Sequence, residues 1–185
     1  MRPKQIRTVA VASALVIAAR VPLGLRPPAL WSGLRFGLGT AAAVAFGVAA
    51  TTRLPPVRSA MAERELPAPA WRWLLLDIPV ATVWAEEAIY RGALGSVAAK
   101  AFGPTGGRLV QAAVFGLSHI PNARSTGEPV VGTVLGTGAA GWMFAWLYER
   151  SGSLAAPMLA HLATNEAGAM AALAVQRIGS GHGDQ

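Results

Sequence analysis

The sequence WRWLLLDIPVATVWAEEAIYRGALGSV, residues 71–97, decides the fold. It is an apolar run that is interrupted by Glu86, Glu87 and Arg91. A helix that crosses a bilayer needs about 20 predominantly apolar residues, and this run is long enough. Ionisable side chains are costly in hydrocarbon, and they mark functional sites when they occur there. The stretch therefore predicts a membrane helix that carries a polar functional centre.

The overall composition is typical of a membrane protein. The 185 residues are 53% hydrophobic and only 14% charged, whereas soluble domains contain about 25% charged residues. No cysteine is present, which excludes disulfides, a thiol nucleophile and a cysteine-based zinc site. The net charge of +7 is scattered between apolar segments. We therefore expect the lipid bilayer, and no nucleic acid, as a partner.

Six apolar segments follow one another along the chain, separated by loops rich in proline and glycine. They are Thr8–Leu25, Phe36–Thr52, Trp71–Val97, Arg108–Ile120, Val130–Tyr148 and Leu154–Val175. The third, fifth and sixth are long enough to span a bilayer, whereas the second is slightly short. The first is interrupted and the fourth is too short unless it extends back toward Phe102. We predict an all-α, polytopic integral membrane helical bundle of about six transmembrane segments. Residues 1–178 are expected to form one membrane-embedded domain, and residues 179–185 a disordered tail.

The first segment has two interpretations. Its basic start and short apolar core, Val9–Ala19, resemble a signal peptide. Because polytopic proteins often use their first span as the insertion signal, a retained helix is the favoured interpretation. Basic residues are slightly more numerous in the loops that this topology puts inside. The expected location is the cell membrane, with both termini cytoplasmic.

The fifth segment contains Gly132-x-x-x-Gly136, followed by Gly138 and Gly141. Small residues at helical spacing let two helix backbones approach closely inside a membrane. We expect a packing seam between helices, which could also serve a dimer. The sequence leaves the oligomeric state open.

Glu86 and Glu87 point about 100° apart on a helix, so they serve different tasks. Glu87 lies four residues before Arg91, the favourable order for an ion pair, and the pair would neutralise both charges in lipid. This pairing leaves Glu86 without a local cation and available as a general base. The alternative is a helix that ends at the membrane surface with both acids in water.

His119, His161 and Asn165 are further polar residues within or against apolar sequence. His119 ends the fourth segment, and the helix is expected to stop there. His161 and Asn165 are four residues apart and share one helix face. Taken singly, each has a structural explanation, as an interfacial histidine or as a polar contact that holds helices together.

Brought to one point with Glu86, these residues would form a hydrolytic site. In one chemistry Glu86, His119 and His161 hold a metal ion, with Zn²⁺ as the candidate, which activates a bound water. In the other chemistry Glu86 and His119 activate the water without a metal. His161 and Asn165 then donate hydrogen bonds to the tetrahedral oxyanion. The residues alone leave both chemistries open.

Three short motifs occur in order between about Asp77 and Ala169. The first is formed by Glu86, Glu87, Tyr90, Arg91 and Gly92. The second is formed by Phe115, His119 and Asn122. The third is formed by Gly152, Ser153, Leu154, Pro157, His161 and Asn165. Together they resemble the motifs of the CPBP family of intramembrane proteases, also called the Abi or CAAX-prenyl-protease family.

The resemblance implies an endopeptidase that hydrolyses a peptide bond in a membrane-associated protein or peptide. It implies a catalytic core of Glu86, His119, His161 and Asn165, with Glu87 and Arg91 as structural partners. Members of the family cleave prenylated C-terminal tripeptides in eukaryotes, or act in bacteriocin self-immunity and membrane-protein processing in bacteria. The Ala-, Gly- and Arg-rich composition resembles that of a high-GC bacterium, where prenylated substrates are not expected.

Two other functions are compatible with the sequence. A non-catalytic membrane immunity or partner-binding protein could keep the polar cluster to hold its helices together. A small transporter could use Glu86 and the histidines as a proton relay, although no inverted repeat is visible. The chain is short for the family, and at most three helices precede Glu86. A missing peripheral helix would affect the entrance for the substrate more than the catalytic residues.

Overall fold

The computed structural model describes residues 1–180, and its regular structure is entirely helical, with no strand in that range. Its α-helices are α1 (Pro3–Ala18), α2 (Ala29–Thr51), α3 (Pro55–Glu63), α4 (Ala70–Arg72), α5 (Gly95–Ser118), α6 (Ile120–Thr126), α7 (Val130–Ser151) and α8 (Ala155–Ser180). Two π-helical segments, Trp73–Trp84 and Glu87–Leu94, lie between α4 and α5. The predicted all-α fold class is confirmed.

The polar stretch belongs to one continuous helix that extends from α4 to a kink at Gly103. Pro79 lies within the first π-helical segment, where it removes one helical hydrogen bond. The second π-helical segment begins at Glu87, and such segments are frequent at functional sites. Gly103 has a φ of 72° and precedes Pro104, so α5 bends there. The third predicted segment therefore continues further than expected, and the fourth follows the kink.

Two helices among the described residues, α2 and α7, are each long and apolar enough to cross a membrane. The second predicted segment qualifies because α2 begins at Ala29, seven residues before the predicted start at Phe36. The third and sixth do not qualify as single apolar helices. The third is divided between α- and π-helical pieces, and α8 carries the polar residues His161, Asn165 and Glu166.

α1 is part of the core of the bundle. Its Ala12 and Val16 are buried together with Ala85 and Ala88, the residues that flank the two glutamates. The helix ends earlier than predicted because the backbone at Arg20 turns to a φ of 49°. This packing puts α1 directly against the polar stretch.

Glycines form a seam between α5 and α7. A Cβ on Gly116 would lie 2.6 Å from the carbonyl oxygen of Val134, and one on Gly141 would lie 2.9 Å from the Phe115 ring. A Cβ on Gly136 would meet nothing within 4 Å. The predicted seam is therefore present in the second half of the glycine motif, whereas the first half is open.

α8 packs along α2 and also contacts α7. Phe144 and Leu147 of α7 are buried with Ala156 and Ala160 of α8. α8 continues to Ser180 and so includes the start of the predicted tail. The rest of that tail lies outside the described residues.

Candidate active site

The π-helical segment that starts at Glu87 turns the Glu87 and Arg91 side chains into the interior. Glu87 is 0% exposed and Arg91 is 1% exposed. The Nη1 atom of Arg91 lies 3.1 Å from Oε1 of Glu87. The ion pair predicted from the four-residue spacing is therefore present, and each buried charge compensates the other.

His161 on α8 reaches across the bundle to Glu87. Its Nδ1 lies 2.7 Å from Oε1 of Glu87, and Nδ1 carries the proton because an ionised carboxylate only accepts hydrogen bonds. Its Nε2 faces Glu86, whose Oε2 is 3.9 Å away, too far for a direct hydrogen bond. Within residues 1–180 this buried Oε2 has no hydrogen-bond partner. Glu86 is thus the unpaired carboxylate, whereas Glu87 is shared by Arg91 and His161.

Sequence reasoning missed the contact between His161 and Glu87. We expected Glu87 to pair with Arg91 alone, and His161 to act beside Glu86. The contact joins residues 74 positions apart, and it depends on how α8 crosses the π-helical segment. The angle between the two adjacent acids explains the result, because it lets one face Nδ1 while the other faces Nε2.

Two phenylalanines form apolar walls around this cluster. Phe144 stacks on the His161 ring, with centroids 5.0 Å apart and an interplanar angle of 24°. Phe115 faces the same ring edge-on, with the two ring centroids 6.2 Å apart. The Arg91 Cζ lies 4.2 Å from the centroid of Phe115 and 4.9 Å from that of Phe144. Phe115 belongs to the second motif, whereas Phe144 was missed because one aromatic residue in an apolar helix is not distinctive.

His119 and Asn165 flank the cluster. α5 ends at His119, as predicted, and the ring Nδ1 donates to the carbonyl oxygen of Phe115 at 2.8 Å. This bond leaves a lone pair on Nε2 of the neutral ring. The His119 ring also contacts Phe115 edge-on at 4.8 Å, so Phe115 touches both histidines. Asn165 donates its Nδ2 to the carbonyl oxygen of His161 at 3.1 Å, and it keeps one N–H for another acceptor.

The third motif builds the turn from which α8 starts. The hydroxyl of Ser151 accepts a hydrogen bond from the Ser153 amide at 3.1 Å. The Leu154 amide donates to the carbonyl oxygen of Leu23 at 2.8 Å, which attaches the loop after α1 to this turn. These contacts determine where α8 begins, and therefore where His161 meets the glutamates.

The candidate metal ligands are not assembled into a metal centre. Among residues 1–180, no group of three or more histidine, aspartate or glutamate side chains could hold a metal ion. Nδ1 of His161 is engaged by Glu87, and Nδ1 of His119 by a backbone carbonyl. These bonds leave Nε2 of both rings free, and metal-binding histidines commonly make the same hydrogen bond from their other nitrogen. The Zn²⁺ chemistry and the direct activation of water by side chains therefore both stay predictions.

Comparison with known proteins identifies the family. A family model described as type II CAAX prenyl endopeptidase Rce1-like matches residues 68–167, more than half of the chain. Searches of curated proteins and of solved structures give no match. The matched region contains all six candidate site residues, and the family is one of membrane-integral proteases. The resemblance to intramembrane CAAX-type proteases is thereby confirmed: the chain belongs to the type II CAAX prenyl endopeptidase Rce1-like family.

Proposed function

We propose that this protein is an intramembrane endopeptidase that hydrolyses a peptide bond in a membrane-associated peptide or protein. The observation that carries the proposal is the position of His161 between two glutamates, 2.7 Å from Glu87 and 3.9 Å from Glu86. The cluster lies inside the region that matches the protease family. A half-buried, unpaired carboxylate beside an oriented imidazole provides the groups that acid–base hydrolysis needs.

Glu86 is the proposed general base, and His119 assists it. The unpaired carboxylate of Glu86 takes a proton from water as the water oxygen bonds to the peptide carbonyl carbon. The lone pair on Nε2 of His119 can accept a hydrogen bond from the same water. When the tetrahedral intermediate collapses, the C–N bond breaks and Glu86 returns the proton to the leaving nitrogen. The products are a new carboxyl terminus and a new amine.

His161 and Asn165 are the proposed donors to the oxyanion. Protonated His161 donates from Nδ1 to Glu87 and has Nε2–H for the developing negative charge. In that state Arg91 and His161 balance the charges of the two glutamates, so the buried cluster is neutral. Asn165, on the same face of α8, contributes its remaining N–H. Glu87 and Arg91 position His161 and do not themselves contact the substrate.

The test compares cleavage of a membrane-peptide library by the purified protein and by a Glu86→Gln variant in detergent. Loss of a general base is expected to lower the cleavage rate by about 10²–10⁴-fold. His119→Ala is expected to lower it as well. Glu128→Gln, on an exposed loop residue before α7, and His182→Ala are the matched controls. Equal cleavage by the wild type, Glu86→Gln and His119→Ala would refute the assignment.

A non-catalytic immunity or partner-binding protein is the second candidate function. The buried ion pair between Glu87 and Arg91 also supports it, because such a pair fixes helix positions without chemistry. This function predicts that Glu86→Gln leaves partner binding intact, whereas Arg91→Ala destabilises the protein. The cleavage assay separates the two functions. A protease cleaves the library and loses that activity with Glu86→Gln, whereas a non-catalytic protein cleaves nothing in either form.

The proposed mechanism uses no metal ion. Dialysis against a chelator is expected to leave the cleavage rate unchanged, because Glu86 and His119 would activate the water directly. Loss of activity that Zn²⁺ restores would instead favour a metal held by Glu86, His119 and His161. Elemental analysis of the purified protein provides an independent measurement of bound metal.

The proposed location is the cell membrane of a bacterium, with both termini in the cytoplasm. The slight excess of basic residues in the predicted inner loops supports this orientation. Reporter fusions that are active on only one side of the membrane test each terminus separately. Opposite signals from the two termini would contradict an even number of spans.

A further inference from the structure

A second polar region lies on the other side of Arg91, away from the part of the site that contains the histidines. It is a cavity of about 210 Å³ between α5, α7 and the loop after α1. Its polar lining consists of Arg91, Ser96, Arg108, Gln111, Tyr148 and Glu149. Of the six candidate site residues, Arg91 is the one that lines this cavity, so the cavity is joined to the site through that side chain.

Gln111 is the unexplained residue of this cavity. It lies on α5 one helical turn before Phe115, and its side chain is 0% exposed. Both polar atoms of the amide, Nε2 and Oε1, have no hydrogen-bond partner within residues 1–180. Nε and Nη2 of Arg91 are also buried without a hydrogen-bond partner in that range. Buried polar groups are rarely left without partners, because the unmet hydrogen bond costs more than a made one gains.

The cavity is large enough to supply these partners as water. A water molecule occupies about 30 Å³ in the liquid, so a cavity of 210 Å³ has room for several. An internal water needs two to four polar partners, and the Gln111 amide and the Arg91 guanidinium offer both donors and acceptors.

The charges around the cavity favour a neutral occupant. Arg91 is paired with Glu87, and Arg108 is paired with Glu149 at the outer end. Arg108 also lies over the Trp142 ring, with its Cζ 4.7 Å from the centroid. Because each arginine already has a counterion, an additional anion or cation would be left without compensation.

We propose that the cavity is an internal water-binding site, in which a small water cluster hydrogen-bonds to Gln111 and to Arg91. Gln111 is thereby a positioning residue. It holds the waters that satisfy Arg91, and Arg91 in turn holds Glu87 against His161. The water site stands on the geometry alone, whereas its effect on catalysis rests on the proposed protease function.

The first test detects the water directly. The chain contains four glutamines, so selective ¹⁵N-glutamine labelling gives few side-chain amide signals, and Gln111→Met identifies that of Gln111. Cross-peaks between the Gln111 amide protons and long-lived water are expected in the wild-type protein. The amide signals of Gln176, which donates to the Met61 and Arg64 carbonyl oxygens, should stay unchanged in the variant and so report an intact fold. Absence of water cross-peaks at Gln111 would overturn the proposal.

The second test uses the sign of a stability change. If the cavity holds water, both Gln111→Met and the cavity-filling Ala145→Leu remove partners from Arg91 and lower the unfolding midpoint, by about 2–4 °C. If the cavity is dry, the same substitutions remove an unsatisfied amide or fill an empty space, and the midpoint rises. A midpoint that is raised or unchanged in both variants would overturn the proposal.

The effect of Gln111 on catalysis is measured in a separate kinetic experiment. Gln111→Met is expected to lower kcat several-fold while leaving KM unchanged, because the substrate does not touch Gln111. Gln111→Asn, which keeps a neutral amide for water, is expected to retain more activity than Gln111→Met. Equal kcat values for the wild type and Gln111→Met would remove the positioning role. If Glu86→Gln proves fully active, the protease function fails, whereas the water cross-peaks still decide the water site.

Discussion

Glu86 and Glu87 face the two nitrogens of one imidazole, although they are neighbours in the chain. Glu87 accepts a hydrogen bond from Nδ1 of His161 at 2.7 Å, and Glu86 lies 3.9 Å from Nε2. The hydrogen bond from Nδ1 to Glu87 orients the His161 ring and so directs Nε2 toward Glu86. The difference in role between the two acids follows from about 100° of helix rotation.

The ion pair of Glu87 and Arg91 gives a prediction at the scale of single residues. Glu87→Gln keeps an amide oxygen that accepts from His161, but it leaves the buried guanidinium without a counterion. We expect a loss of about 3–5 kcal/mol in the free energy of unfolding. The double variant Glu87→Gln/Arg91→Met should recover part of that loss, because it removes the uncompensated charge. Denaturant titration in mild detergent measures both, and a double variant less stable than Glu87→Gln would contradict the interpretation.

At the scale of secondary-structure elements, helix irregularities and helix ends position the residues of the site. Glu87 starts a π-helical segment, and His119 sits where α5 stops. His161 lies on α8, whose start is determined by the turn at Ser153. Each functional side chain is therefore positioned by a helix irregularity or a helix end, and the phenylalanines of α5 and α7 hold the pieces together.

The glycine seam between α5 and α7 gives a prediction that connects packing to activity. A Cβ on Gly141 would lie 2.9 Å from the Phe115 ring, which contacts both histidines. Gly141→Ala is therefore expected to displace Phe115 and to lower both stability and cleavage rate. Gly136→Ala on the same helix meets open space, and it should stabilise the protein by about 1 kcal/mol through helix propensity. Equal effects of the two substitutions would contradict the assigned seam.

The turn between α7 and α8 gives a second prediction at this scale. Gly24 and Gly127 both adopt positive φ, at 61° and 72°. A Cβ on Gly24 would overlap the carbonyl oxygen of Gly152, whereas one on Gly127 meets nothing within 4 Å. Gly127→Ala should cost about 1–2 kcal/mol for the left-handed backbone alone, and Gly24→Ala should cost clearly more. Thermal unfolding compares them, and a Gly24→Ala variant as stable as Gly127→Ala would show that the loop is not held there.

At the scale of the whole molecule, large apolar side chains cover the outside of the bundle. Phe46 is 77% exposed, Ile17 75% and Val131 71%. The inside, in contrast, holds the ion pair, a histidine and a buried glutamine. Soluble monomers rarely expose extended apolar surface, whereas lipid-facing helices require it. This distribution agrees with the membrane-integral nature of the family.

The lipid-facing surface gives the prediction for the whole molecule. Leu38, near the middle of α2, is 57% exposed, and Leu38→Arg would put a charge in hydrocarbon at a cost of about 2.5–3.5 kcal/mol. Less protein should then be recovered in the membrane fraction. Thr51→Arg is the matched control, because a long side chain at the end of α2 can reach the interface. Equal membrane recovery of the two variants would argue against α2 as a span.

Much of this architecture could be predicted from local sequence. The apolar segments, the end of α5 at His119 and the pairing of Glu87 with Arg91 depend on residues a few positions apart, so spacing is enough to indicate them. The length of α2 was underestimated, because its first turns contain Trp31 and Arg35 among the apolar residues. The catalytic roles of the site residues stay predictions until the Glu86 and His119 variants are assayed.

The sequence by itself determined the helical class, the membrane character and the identity of the polar residues, because apolar content, periodicity and motif order are local properties. Tertiary structure alone decided which nitrogen of His161 meets which glutamate, that Phe115 and Phe144 enclose the cluster, and that Gln111 faces a cavity. These contacts join residues on different helices. They depend on the rotation of each helix and on how helices cross, which no spacing along the chain specifies.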